Sequence, residues 1–72
     1  MTIDQTTAKV LTDLLRELSS ELDLHHEDDQ FPALKATIDA LRGAATLMTN
    51  AGHKAPEVYH HVMRRFERAT RS

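Results

Sequence analysis

The chain contains no cysteine and no tryptophan, and only two glycines, two prolines, one tyrosine and two phenylalanines. Without cysteine there is neither a disulfide nor a thiolate metal site, which fits a reducing compartment. The two glycines, Gly43 and Gly52, stand alone, so no glycine-rich phosphate loop can be built. Long apolar runs are missing too. Charge interrupts every few residues, and no stretch approaches the roughly 20 residues that cross a bilayer. Met1 to Gln5 has neither a basic nor an apolar leader segment. A cytoplasmic protein without a membrane contact is the expectation.

Seventy-two residues set the ceiling at one helical domain spanning residues 1–72. A core of that size supplies only a few kcal/mol, so stability is expected to draw on a second copy or a partner. The net charge is −2, but unevenly distributed. Residues 1–31 carry eight acids against Lys9 and Arg16. Residues 32–72 carry seven lysines and arginines against Asp39, Glu57 and Glu67. Opposite halves of this kind can neutralise one another within a bundle or between subunits, and both fit better than a nucleic-acid role for the whole chain.

What the chain does have is helical period. Leu11, Leu14, Leu15, Leu18 and Leu22 fall on one face of a first helix over about 5–24, with Asp4 as its N-cap or Thr2 and Gln5 as a competing capping box. His25 to Phe31 breaks the pattern as a solvated acidic loop, and Pro32 suits the first turn of a second helix over 32–51. There Leu34, Ile38, Leu41, Ala45 and Met48 form a 4-3-4-3 seam. A second stripe, Ala33, Ala40, Ala44, Leu47 and Ala51, would let this helix be approached from two sides, as the central and most buried one. Gly52 reads as its C-terminal stop. Pro56 at the first helical position opens a third helix over 56–70, with Tyr59, Val62, Phe66 and Ala69 inside and Val58 and Met63 flanking. The expected fold is all-α: a helical hairpin plus a third helix, completed by self-association.

Five histidines invite a metal site, yet His25, His26, Glu27, Asp28 and Asp29 are adjacent, and neighbours on a chain diverge where a ligand set must converge. His60 and His61 diverge by about 100° on a helix. We therefore expect no metal and no cofactor. Ser19, Ser20 and Ser72 lack a base and an orienting group at recognisable spacing, and a chain this short encloses little space for an active site. No enzyme is expected.

Leu47 to Phe66 has the outline of a helix-turn-helix, but Met48 stands where a small residue precedes the turn glycine, and His53 where an apolar one follows it. A plain hairpin with a basic solvent face accounts for the same residues. Two short stretches resemble known families. Ser20, Glu21, Leu22 and Asp23 resemble a signature of the small phosphatase regulators of the sporulation type, which carry it on the second helix rather than the first. Ala55 to Phe66, opening on Pro56, Glu57 and Tyr59, is similar to the last helix of the type III secretion needle co-chaperones. Both resemblances end at those residues, and no role is carried over from either.

The remaining expectation is a small interaction protein of the size common among bacterial and phage regulators: a regulator, inhibitor, adaptor or accessory subunit that binds another protein. Tyr59, Met63 and Phe66 among Arg64, Arg65 and Arg68 supply the residue types enriched at interface centres, and form the expected partner surface. Leu11, Leu18, Leu34, Ile38 and Leu41 are the expected self-association stripe, giving a homodimer. The alternative is a DNA-binding protein that reads phosphate with the basic third helix.

Overall fold

Asp4, itself extended, caps the first helix, because its Oδ1 accepts a hydrogen bond from the Thr7 amide at 2.6 Å. That bond holds the Asp4 carboxyl below its usual 3.8. The computed structural model describes residues 3–71, so Thr2, of the competing capping box, lies outside the described residues. Helix α1 runs Gln5–His25, α2 runs Lys35–Asn50 and α3 runs Glu57–Thr70, with a 3₁₀ segment at Asp28–Leu34 and no strand among the described residues. The all-α three-helix bundle is therefore the observed architecture.

Two element starts differ from expectation, and each has a local reason. Pro32 does not open α2; it sits inside the 3₁₀ segment. That segment is fixed at its entry by the Glu27 amide donating to Gln30 Oε1 at 2.7 Å, and α2 begins only at Lys35. Pro56 is the N-cap of α3, with extended ψ of 150°, and Glu57 takes the first helical position, where the helix dipole favours its charge. The stop of α2 is as read. Gly52 has φ of 89°, the His53 amide reaches back to the Met48 carbonyl at 2.9 Å, and the Gly52 amide bonds the Thr49 carbonyl at 3.0 Å. This pair of bonds closes the last turn, and the positive φ is why glycine stands there.

The core is assembled from every element: Leu15 and Leu22 of α1, Phe31 of the 3₁₀ segment, Ile38, Leu41, Ala45 and Met48 of α2, and Tyr59, Val62, Met63 and Phe66 of α3. Phe31, expected in a solvated loop, is fully buried. Its ring fills the space that the turn between α1 and α2 would otherwise leave open. Helix α3 packs on α1 and on the 3₁₀ segment, and α2 packs on the same two elements. This corrects the expectation that α2 is central. Helix α2 buries one seam only; of the expected second stripe, Ala33 falls in the 3₁₀ segment and is exposed, as is Ala40, while Ala44, Leu47 and the C-cap Ala51 are partly so. Helix α1 likewise leaves part of its leucine face outside, with Leu14 51% and Leu18 46% exposed. No helix among the described residues is long and apolar enough to cross a membrane.

Candidate interaction surfaces

Of the arginines on α3, Arg65 alone follows Val62 by three positions and so lies beside the buried seam. Its side chain is only 12% exposed. Nε donates to Asp28 Oδ1 at 2.8 Å, Nη1 to both the carboxylate and the carbonyl oxygen of Asp23 at 2.9 Å, and Nη2 to the His26 carbonyl at 2.9 Å. The guanidinium also lies over the Phe31 ring, 4.4 Å from its centroid, a cation–π contact. His61 Nε2 meets the same Asp23 carboxylate at 3.0 Å. One side chain thus closes the C-terminus of α1, caps the buried phenylalanine and ties α3 to both. The acidic first half and basic second half neutralise each other here within one chain. Arg65 is a structural tie, and its guanidinium is not available to a partner.

The expected partner surface on α3 therefore divides. Tyr59, Met63 and Phe66 turn inwards to the core, as an apolar residue at helical spacing does when a neighbouring helix covers it. Arg64 and Arg68 remain exposed and line a shallow depression with His61, Glu67 and Arg71. Burial raises the Tyr59 hydroxyl above its usual 10.0, against the opposing charge of Arg42 nearby. The expected self-association stripe divides as well. Ile38 and Leu41 are buried in the chain's own core, so they are not free to meet a second copy. Leu11 and Leu34 pack partly against that core, and Leu18 is left at the surface.

What the sequence reading did not assemble is the cleft where these leftovers meet. Leu11, Leu14, Leu15 and Leu18 of α1 form one wall, and Thr37, Ala40, Leu41 and Ala44 of α2 form the other, around a cleft of about 160 Å³. Its lining is almost wholly carbon, and Val10, 52% exposed, extends the apolar surface along α1. The signal was present in the sequence as two neighbouring stripes on two helices. It was obscured because the expected self-association stripe mixed exposed Leu18 with Ile38 and Leu41, which the chain's own core uses. Among the described residues no group of three or more His, Asp and Glu side chains converges as a metal site would require. No family model, curated protein or solved structure matches the chain, so the two short resemblances are not extended by any wider likeness.

Proposed function

We propose that the chain is a small helical interaction protein, without catalysis, that works by docking another protein surface into the leucine cleft between α1 and α2. The observation that carries this reading is the cleft itself: half-exposed Leu14 and Leu18 standing over the small side chains of Ala40 and Ala44. Leucine side chains left half in water forgo about half of the roughly 1.5–3 kcal/mol that full burial of each contributes. An apolar surface covering both helices recovers it, and an amphipathic helix laid along the cleft is the simplest such surface. Regulator, inhibitor, adaptor and accessory subunit all act in this way, and the lack of cysteine fits a cytoplasmic setting.

A photocrosslinker placed at Leu14 or at Leu18, compared in the host cell with one at Arg64 or Arg68, tests the reading. Adducts from the α1 positions are expected. Adducts confined to the α3 positions would move the interface to the basic face and retire the cleft.

A second reading draws on Arg64, Arg68 and Arg71, which share one exposed face at i, i+4 and i+7. Three cations in a row suit phosphate, so the face could read duplex DNA as a helix-turn-helix-like protein would. Glu67 stands in that row, 4.0 Å from Arg71, and Arg65 is already committed to Asp23 and Asp28. Both weigh towards protein. Binding to duplex DNA at low salt, with a salt slope that shrinks by about one for each of these arginines removed, would reverse that preference.

A further inference from the structure

We infer that the occupant of the α1–α2 cleft is a basic amphipathic helix of a different protein, laid with its apolar ridge between the leucines of α1 and the alanines of α2, and with two cations one turn apart set against Glu17 and Glu21. The inference rests on the cleft reading above and names the chemistry of the partner.

The acids of α1 carry it. Val10, Leu14 and Leu18 form one row at i, i+4 and i+8, and Glu17 and Glu21 each follow a leucine of that row by three positions, so they border it on the side away from buried Leu15 and Leu22. Elsewhere on α1 the acids are answered. Asp13 meets Lys9 at 3.1 Å and Arg16 at 3.0 Å, and Asp23 meets Arg65 at 2.9 Å. Glu17 has no ion-pair partner among the described residues, and Glu21 has only the exposed His25, at 3.3 Å. The two acids of α1 left without a lysine or arginine are thus the two beside the open leucines.

The α2 edge differs. Lys35, Asp39 and Arg42 share one stripe at i, i+4 and i+7, where Lys35 pairs with Asp39 at 2.7 Å and Arg42 reaches the Met63 sulfur of α3 at 4.0 Å. Ala40 and Ala44, which line the cleft, make with Leu47 another stripe that carries no charge. A helix entering the cleft therefore meets anions along one edge and no charge along the other. Cations on one flank are attracted there, and acids on that flank are repelled.

Spacing fits a helix on the other side. Glu17 and Glu21 are one turn apart, about 6 Å along the axis, which is the separation of two cations at i and i+4 on a helix lying alongside. The chain's own helices do not supply such a partner. Helix α1 carries acids on that edge, and the apolar seam of basic α3, with Tyr59, Val62, Met63 and Phe66, is buried in its own core.

Two synthetic helical peptides test this, alike in a leucine ridge at i, i+3 and i+7 and differing only along one flank, with lysine in the first and glutamate in the second. Fluorescence anisotropy with the full chain is expected to show the lysine peptide binding about tenfold or more tighter than the glutamate one, with a preference that shrinks as salt rises. The Glu17→Lys/Glu21→Lys variant should invert the preference. Both positions are exposed and pair with no lysine or arginine, so the fold is retained. The milder Glu17→Gln/Glu21→Gln, expected to abolish the preference, keeps the inference open to refutation if the reversed variant fails to fold. Equal binding of the two peptides would overturn the inference, as would a preference unchanged in the variants, binding of neither peptide, or a chain that dimerises through Leu14 and Leu18 and excludes both peptides. The photocrosslinker at Leu18 separates this failure from that of the cleft. After any of these results, an adduct there with a different protein removes the basic helix but keeps the cleft. No adduct at Leu14 or Leu18 removes both.

Discussion

The two sides of α1 are finished in different ways. Towards α3 and the 3₁₀ segment the charges and the ring are covered: Phe31 is buried, Arg65 answers two carboxylates and two carbonyls, and the acidic and basic halves cancel locally. Towards α2 the leucine face is only half covered, and what remains outside is almost wholly carbon. A side closed by hydrogen bonds and packing sets the fold. A side left apolar and open is where another chain can contribute. The molecule thus separates what holds it together from what it offers, although both use the same helix.

That contrast can be broken first at its closed side. Phe31→Ala should be the most damaging change, since deleting a fully buried ring costs about 3–5 kcal/mol, comparable to the whole stability of a small domain. Thermal unfolding followed by circular dichroism is expected to show little or no folded population. Arg65→Ala comes next. It strands a partly buried Asp23 carboxylate and two carbonyls, at about 2–4 kcal/mol, whereas Arg64→Ala, on the exposed face of the same helix, should stay within about 0.5 kcal/mol. Equal effects of the two arginine changes in denaturant melts would remove the distinction between tie and surface.

Smaller effects sharpen the open side. Gly43→Ala should raise helix stability of the free chain by about 0.5–1 kcal/mol, because nothing within the chain obstructs the new methyl group. The same change should weaken partner binding if α2 is approached at that point.

The smallest effect is in pH. Tyr59 holds its proton above 10.0 in the folded chain because it is buried, with Arg42 working against this. Its contribution to stability is complete below the unfolded value and is lost as pH rises through the folded one. As the chain's one tyrosine, it can be titrated by tyrosinate absorbance. A midpoint at or below that of a free tyrosyl peptide would contradict its burial against the core.

Much of the closed side was legible in the sequence. The leucine period over α1, the Gly52 stop and the Asp4 cap are local signals, and the chain obeys them. Leu15, Leu22, Ile38, Met48, Val62 and Phe66 are buried as their spacing implies. The 3₁₀ segment was not legible, because Phe31, Pro32 and Ala33 are too short a run to show a period. Proline before a helix also reads as its first residue whether or not a 3₁₀ turn intervenes. Arg65 was grouped with Arg64 and Arg68, since sequence gives their charge but not the 42-residue reach back to Asp23. Its place three residues after Val62, beside the seam, was the available clue. On the open side the apolar excess was legible, but the stripes alone could not say which leucines a small core would use. In the folded chain Ile38 and Leu41 are buried, whereas Leu14 and Leu18 stay half exposed.

The central claim is that the open α1–α2 side, not the basic face of α3, is the surface that receives another protein chain. Leucine and valine methyl resonances recorded as the lysine-flanked peptide is added test it directly, because each reports its own surroundings. The methyls of Val10, Leu14 and Leu18 should move together with peptide concentration, while those of Val62, sealed in the core, and of Val58 on α3 stay fixed. Shifts confined to Val58, or spectra that do not change at any concentration, would contradict it.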